Sequence, residues 1–273
     1  MGTYILFFIV SLLASTIGAL CGVGGGVFMK PALDAVGVLP VNTITFLSGC
    51  TVISMSSYNV LSNLKNKQQT INWNLTTFLA IGGAIGGLVG KWLYTELKNT
   101  FDNPEIIGGY QAAALFVVVF ITLLYTLNKN KIKSLHVTNK LILCLLGLGL
   151  GMCSSFLGIG GGPMNLAVLC YFMSMETKEA AQNSLYIILV SQFASLLLSL
   201  VSGNIPQEFY ATNNSTIWVL LFGMVICGIV GGIIGKQINK KISNHTVDKL
   251  FVILIYVILA LSVYNTLTKF QII

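Results

Sequence analysis

Charged residues are scarce in this sequence, and arginine is absent. Only 8% of the 273 residues are Asp, Glu, Lys or Arg, whereas soluble globular domains carry about 25%. The mean hydropathy is correspondingly high, at +0.85. These values exclude a soluble enzyme, a disordered protein and a nucleic-acid-binding domain, and they leave a polytopic helical membrane protein. Because all 15 basic residues are lysines, no bidentate arginine clamp can hold an anion.

Groupings typical of metal and catalytic sites are also missing. The 6 cysteines form no CxxC pair and lie in or beside apolar runs, as expected of small buried residues rather than of a disulfide framework or a zinc site. The apolar segments contain no Ser/His or paired-Asp arrangement and no HExxH motif. We therefore expect no metal, no cofactor and no enzymatic activity. The N-terminus lacks a basic n-region and is interpreted as a retained helix.

Long apolar runs occupy most of the chain. Eight of them are close to the ~20 residues that a helix needs to cross a bilayer: residues 4–20, 43–62, 75–93, 109–127, 141–157, 181–202, 215–235 and 250–267. Two shorter runs, 26–38 and 162–174, each follow a glycine cluster. The connections are short and leave no room for a soluble domain. The sequence therefore predicts an all-α polytopic protein of the cell membrane, surrounded by lipid.

Two glycine patterns recur in the same order. Gly22–Gly26 (GVGGG) returns 136 residues later as Gly158–Gly162 (GIGGG), and the GxxxGK segment Gly86–Lys91 returns 145 residues later as Gly231–Lys236. Internal duplication is typical of secondary transporters. We predict a first transmembrane repeat over residues 1–130 and a second over 131–273. The glycines of the GxxxGK helices are interpreted as helix-packing faces.

The lysines favour an inverted second repeat, because positive charges concentrate on the cytoplasmic side. If each half crosses four times, they divide 7 against 8. If each glycine cluster is the tip of a helical hairpin whose short arm returns through the membrane, they divide 11 against 3. We therefore predict two inverted repeats of about five segments each, with both termini outside. The predicted cytoplasmic lysines are Lys65, Lys67, Lys129, Lys131, Lys133, Lys140, Lys178, Lys236, Lys240, Lys241 and Lys249, and the outer ones are Lys91, Lys98 and Lys269.

The glycine tips are the first candidate for a binding site. A glycine run interrupts a helix, and a membrane tolerates interrupted backbone only where it is buried in protein or lines a cavity. The helix after each tip begins with free N–H groups and the positive end of its dipole, which bind anions without arginine. Close glycine packing is the alternative. The anion hypothesis assigns to the site Gly24, Gly25, Gly26, Gly160, Gly161 and Gly162.

Polar side chains near the tips are the second candidate. Ser48 and Ser184 are 136 residues apart, Asn183 precedes Ser184, and Asn165 lies three residues beyond Gly162. We include Ser48, Asn165, Asn183 and Ser184 in the substrate site. The alternative is hydrogen bonding between helices, which we prefer for the other hydroxyl and amide residues of the two helices that follow the hairpins.

Charged residues are the third candidate for a functional site, and they comprise three lysines and one aspartate. Lys30 and Asp34 are spaced i, i+4 on the first short arm and can pair. Because an intramembrane charge is a functional candidate by default, Lys30 joins the predicted substrate site. Lys91 and Lys236 each follow a glycine-rich helix segment, and we interpret both as snorkelling to the membrane interface.

At these motifs the sequence resembles the TauE/SafE family of sulfite-exporter-like membrane permeases. Gly22–Gly26 with Pro31, Gly158–Gly162 and the two GxxxGK endings carry the resemblance, and the duplicated organisation covers essentially the whole chain. One departure is Ala167, which stands where Pro31 would map in the second half. The resemblance implies transport of organosulfonates and small sulfur oxyanions.

These features together predict a secondary transporter for a small anion, bound between the two repeats near the glycine breaks. By resemblance, the expected substrate is sulfite, thiosulfate or an organosulfonate. A proton or a sodium ion is the candidate coupling ion, and no nucleic-acid partner is expected. An anion channel and an intramembrane enzyme or assembly factor remain open as alternatives.

Overall fold

The computed structural model describes residues 2–34, 36–65, 71–100, 104–129, 131–157, 162–203, 205–210 and 215–269. These residues form ten α-helices and one 3₁₀ turn, Gln207–Phe209, and they contain no strand. In chain order the helices are α1 (Gly2–Cys21), α2 (Gly26–Asp34), α3 (Val41–Lys65), α4 (Trp73–Thr100), α5 (Pro104–Asn128), α6 (Lys140–Leu157), α7 (Gly162–Phe172), α8 (Thr177–Val201), α9 (Ser215–Lys241) and α10 (Asn244–Lys269).

Within the described residues, 7 helices are long and apolar enough to cross a membrane: α1, α3, α4, α6, α8, α9 and α10. In α5 the described apolar stretch is the shorter Ala113–Asn128. Each long apolar run of the sequence is helical, because a bilayer requires every backbone N–H and C=O group to be paired within the segment. The predicted all-α polytopic architecture is confirmed.

The two short arms are half-length helices that begin inside the bundle. α2 has 9 residues and α7 has 11, so at 1.5 Å per residue they cover about half of the ~30 Å hydrocarbon core. Gly25 lies against the backbone of Ala14, in the middle of α1. Leu33, near the end of α2, packs in the same cluster as Phe7, in the first half of α1. The chain therefore turns back beside α1 within the membrane.

Positive backbone φ angles at two glycines make this turn. Gly22 has φ 73° and Gly24 has φ 63°, values that residues with a Cβ atom rarely adopt. α1 ends at Cys21 and α2 begins at Gly26, so the reversal takes only the intervening residues 22–25. The predicted hairpin tip at the first glycine cluster is therefore confirmed.

Hydrogen bonds between helix ends establish the direction of the helices. Near the end of α3, Asn63 Nδ2 donates to Oε1 of Gln182, near the start of α8, at 2.8 Å. Near the start of α4, Thr76 Oγ1 donates to Oδ1 of Asn183, also near the start of α8, at 2.6 Å. The equivalent helices α3 and α8 therefore run in opposite directions.

An ion pair and a hydrogen bond join two further helix ends, those of α5 and α10, to the start of α8 at the same end of the bundle. Lys129 directly follows α5, and its ammonium pairs with Asp248 Oδ1 in the first part of α10 at 2.5 Å. Thr177, the first residue of α8, donates to the same carboxylate oxygen at 2.6 Å. We call this end, where α3, α5 and α9 finish and α4, α6, α8 and α10 begin, the lysine-rich end.

Glycines allow close backbone contact between two equivalent helix pairs, α4 with α6 and α9 with α1. A Cβ atom on Gly86 would overlap the backbone of Leu148, and one on Gly231 would lie 2.8 Å from the carbonyl oxygen of Leu12. The two glycines are 145 residues apart and the two leucines 136, which are the spacings of the sequence repeat. The predicted packing role of these glycines is confirmed, and the two halves make equivalent contacts.

Adding a methyl group by a Gly→Ala substitution should destabilise the protein only where the glycine lies against another helix. We expect Gly86→Ala to lower the stability of the protein by about 1–3 kcal/mol, because the added carbon overlaps the α6 backbone. Gly149→Ala is the matched control, since nothing lies within 4 Å of its Cβ position. Thermal unfolding of the purified variants in detergent measures the difference. Equal midpoints for the two variants would contradict the close α4–α6 contact.

Candidate functional site

The start of α7 touches the first glycine tip. A Cβ atom on Gly162, the first residue of α7, would overlap the carbonyl oxygen of Val23 and lie 2.7 Å from Val27 Cγ2. The structure thus brings Gly162 beside the tip that contains Gly24, Gly25 and Gly26. Gly160 and Gly161 lie outside the described residues. Two half-helix starts, each the positive end of a helix dipole, are therefore neighbours inside the bundle.

The N–H groups at the starts of these half-helices are only partly free. In α2, the N–H of Val27 donates to the Gly24 carbonyl at 3.4 Å and that of Phe28 to the Gly25 carbonyl at 3.3 Å. In α7, the second residue is Pro163, which has no N–H group. The expected free N–H groups are therefore fewer than a full first turn supplies, because a tight first turn and a proline use or remove several of them.

The first tip packs tightly against α8. A Cβ atom on Gly22 would overlap the Ala181 backbone, and one on Gly24 would lie 2.9 Å from Ile188 Cδ1. Ser184 Oγ donates to the carbonyl oxygen of Gly22 at 2.6 Å. Ser184 therefore satisfies a backbone group that the helix break leaves unpaired, and the tip glycines are also required for packing.

Two further predicted polar residues have partners within the protein. Ser48 is 5% exposed and donates to the carbonyl of Thr45 in its own helix at 3.1 Å. Asn183 Oδ1 accepts from the Asn72 N–H at 3.0 Å and from Thr76 Oγ1 at 2.6 Å. Asn183 thus connects α8 to the start of α4, and the interhelical alternative describes it.

The ion pair predicted between Lys30 and Asp34 does not form. Neither residue takes part in the ion pair that the described residues form between Lys129 and Asp248. Asp34 is the last residue of α2 and borders a turn in which Gly37 and Val38 are exposed. At that position the carboxylate does not require a lysine partner, because it lies beside solvent-accessible chain.

The snorkelling interpretation is wrong for Lys236. Lys236 is only 5% exposed. Its Nζ donates to the Asn59 carbonyl at 3.0 Å and to Asn63 Oδ1 at 2.9 Å. Both acceptors lie in the last two turns of α3, where the negative end of a helix dipole stabilises a cation. The equivalent Lys91 donates to Ser199 Oγ at 2.7 Å, near the end of α8.

A polar cavity of about 30 Å³ lies between α4, α6, α7 and α8. It can hold two or three water molecules, since one water needs roughly 10–15 Å³ of such space. Three glycines leave the space open, and six polar side chains surround it. The polar residues are Ser154, Ser155, Asn165, Ser191, Gln192 and Ser195, and the glycines are Gly83, Gly147 and Gly151. A second cavity, of about 10 Å³, lies at the first tip beside Gly24 and Gly25 and is mainly apolar.

Asn165 is the predicted site residue that lines the polar cavity. It lies one turn into α7 and is 3% exposed. Its side chain borders the cavity. The amide group can both donate and accept hydrogen bonds, so it can bind a molecule that enters the cavity.

The serines and the glutamine of the cavity were not assigned to a site by the sequence. Ser191, Gln192 and Ser195 are among the residues for which the sequence favours interhelical hydrogen bonds, and Ser154 and Ser155 lie outside both predicted candidates. Their spacing contains a usable signal, because residues three and four apart share one face of a helix. Gly151, Ser154 and Ser155 on α6, and Ser191, Gln192 and Ser195 on α8, follow that spacing.

Interrupted helices that start inside a bundle beside a polar cavity define the architecture of a membrane transporter. The chain matches the profile of the family described as "Sulfite exporter TauE/SafE" over residues 7–262. It belongs to that family, as the resemblance of its glycine motifs indicates.

Curated relatives of similar length are named as transporters. The chain is 21% identical to the "Probable membrane transporter protein YunE" of Bacillus subtilis, over 90% of this chain and 92% of that protein. It is 23% identical to the "Probable membrane transporter protein MJ0441" of Methanocaldococcus jannaschii, over 87% of each chain. It is 24% identical to B. subtilis "Probable membrane transporter protein YjnA", over 86% and 90%. The protein is a multi-pass transporter of the cell membrane.

Two buried asparagines should differ in their effect on stability. We expect Asn183→Ala to destabilise the protein by about 1–3 kcal/mol, because it leaves the Asn72 N–H and the Thr76 hydroxyl without their acceptor. Asn165→Ala should change stability by less than about 0.5 kcal/mol, since its amide borders the cavity. Thermal unfolding in detergent tests the pair. A larger loss in Asn165→Ala than in Asn183→Ala would contradict the assignment.

Proposed function

We propose that this protein is a secondary transporter for a small anion and that the polar cavity beside α7 is its binding site. The observation that carries the proposal is the amide of Asn165, a residue that is 3% exposed and borders the cavity. The hydroxyl groups around it supply further hydrogen-bond donors. A ligand with several acceptor oxygens would satisfy them together.

The charge distribution favours an anion. No acidic side chain borders the cavity among the described residues. The starts of α2 and α7, at Gly24–Gly26 and Gly162, meet nearby and direct the positive ends of two dipoles into the protein interior. Ser184 supports the tip rather than the ligand, and Lys30 does not border the cavity.

The size and neutrality of the cavity support a small and weakly held substrate. Space for two or three waters suits a compact oxyanion such as sulfite, and thiosulfate or an organosulfonate would require the cavity to widen. Helix ends contribute about 0.3–2 kcal/mol each. With a few neutral hydrogen bonds, an affinity on the order of micromolar to millimolar follows. Such an affinity allows a transporter to release its substrate.

We infer that the two halves form an inverted repeat, with residues 1–130 and 131–273 as its units. The opposite directions of α3 and α8 and the equivalent glycine contacts support this inference. The lysine-rich end then faces the cytoplasm. Alternating access between the halves would carry the anion across the membrane.

Transport in proteoliposomes tests the function. We expect saturable uptake of radiolabelled sulfite, thiosulfate or an organosulfonate, dependent on an imposed proton or sodium gradient. Asn165→Ala should reduce uptake at low substrate concentration at least tenfold, since an amide donor is lost. Asn165→Asp, which has nearly the same shape, should reduce it further, because a carboxylate repels an anion.

The control is Ser262→Ala, a change at a buried residue of α10 whose hydroxyl bonds within its own helix. It should leave uptake unchanged. Normal anion uptake in Asn165→Asp would exclude this cavity as the site. Flux that does not saturate with substrate would identify a channel instead.

A further inference from the structure

Three buried polar atoms in the first half have no hydrogen-bond partner in the described part of the chain. They are Ser15 Oγ, Ser56 Oγ and Asn59 Oδ1, and each of these residues is 0% exposed. Buried polar atoms in proteins are nearly always paired. Three in one region, between α1 and α3, therefore require an explanation.

Their positions match the lining of the polar cavity in the second half. The repeat spacing of 136 residues equates Ser15 with Gly151, Ser56 with Gln192, and Asn59 with Ser195. The equivalence is structural as well. A Cβ atom on Gly231 of α9 would lie 2.7 Å from Ser15 Cβ, and one on Gly232 would lie 3.2 Å from Asn59 Nδ2. Ser15 and Asn59 thus lie against α9, the equivalent of the cavity helix α4, and Ser56 lies one turn before Asn59 on α3.

Two methionines stand where the second half has cavity residues. Met29 takes the place of Asn165 and Met55 that of Ser191, and both are 0% exposed. Ser11 Oγ contacts Met29 Sδ at 3.8 Å, and Met55 packs with Ala19 and Leu185. Methionine side chains are unbranched and repack easily, so they can fill a space in one conformation and leave it in another.

Lys91 and Lys236, which are equivalent in the sequence repeat, lie near the polar cavity and near the unpaired atoms, at opposite ends of the bundle. Lys91 donates to Ser199, which donates to the carbonyl of the cavity residue Ser195 at 3.0 Å. Lys236, on α9, donates to the carbonyl of Asn59 in the first half. Lys236 lies at the lysine-rich end, where α9 and α3 finish, and Lys91 lies toward the other end, where α8 finishes.

We propose that the first half contains a second polar pocket, lined by Ser15, Ser56 and Asn59 and closed in this conformation by Met29 and Met55. It opens toward Lys236 and the lysine-rich end when the cavity around Asn165 closes. The two pockets are the alternating halves of one pathway for a small hydrated anion. This inference rests on the proposed transport function, because alternating access supplies the second conformation.

The pocket's side chains suit water and an anion. The hydroxyls of Ser15 and Ser56 can donate, and Lys236 has amide and carbonyl acceptors rather than a carboxylate partner. Its positive charge therefore remains available to attract an anion at that end. A hydrated pocket would also satisfy the three polar atoms that the closed conformation leaves unpaired.

Cysteine accessibility tests the pocket in the full-length protein. In a variant whose 6 native cysteines are replaced and which reaches the membrane folded, Ser56→Cys adds one thiol at the pocket. A membrane-impermeant thiol reagent is applied from one side at a time in proteoliposomes. We expect Ser56→Cys to react from the lysine-rich side only, at least tenfold faster than Ser262→Cys. Ser262 is the matched control, because it is 1% exposed and its hydroxyl is paired.

The second half provides the opposite expectation. Ser191→Cys should react from the other side, and Met55→Ala should accelerate the labelling of Ser56→Cys at least threefold by removing part of the closing side chains. A rate for Ser56→Cys no greater than that of Ser262→Cys, or labelling only from the Ser191 side, would overturn the proposal. If Ser56→Cys does not reach the membrane folded, Asn59→Cys replaces it, with the same expected labelling and the same contradicting results.

The assay separates this inference from the proposed substrate. Labelling depends on water reaching the pocket and requires no anion. Sided labelling without anion uptake would retain the pocket and reject the substrate class. Anion uptake without labelling of Ser56→Cys or Asn59→Cys would retain the transporter and reject the second pocket.

Discussion

The hydrogen-bonding requirement of the backbone inside a bilayer governs this structure. A helix can be interrupted at membrane depth only where protein surrounds the break, and this chain interrupts two. The first break is enclosed by α1, α8 and the start of α7. The Ser184 hydroxyl donates a hydrogen bond to the Gly22 carbonyl, which the break leaves without a backbone partner. Because of this requirement, both half-helix starts lie in the interior rather than at the lipid surface. Their backbone N–H and C=O groups make that part of the interior polar.

Small residues make that enclosure possible. Glycines on α4 and α6, and again on α9 and α1, bring helix backbones into direct contact. The same absence of side chains at Gly83, Gly147 and Gly151 leaves the polar cavity open. Close packing and cavity space therefore arise from one compositional feature. The described residues that line the cavity carry no charge, so an anion bound there would be stabilised by hydroxyls, an amide and helix dipoles.

The two halves share their contacts but differ in their side chains. Asn165 and Ser191 border open space in the second half, whereas Met29 and Met55 fill the equivalent region of the first. Lys236 is buried against the end of α3, although an interfacial lysine was expected from its position near the end of α9. These positions border the proposed path of the anion, while helix-packing glycines occur in both halves.

The sequence by itself determined the membrane class, the helices and the duplicated glycine breaks, because low charge, apolar runs and helix-breaking residues act locally along the chain. It also identified Asn165 as a candidate. Only the tertiary structure separated Asn165 from Asn183, since the partners of Asn183 are on α4 and in the residue before it, more than a hundred positions away. The same reason explains the missing Lys30–Asp34 pair, the burial of Lys236 and the cavity serines. Whether a polar side chain in a membrane is paired depends on which distant helix faces it, and no local pattern encodes that neighbour.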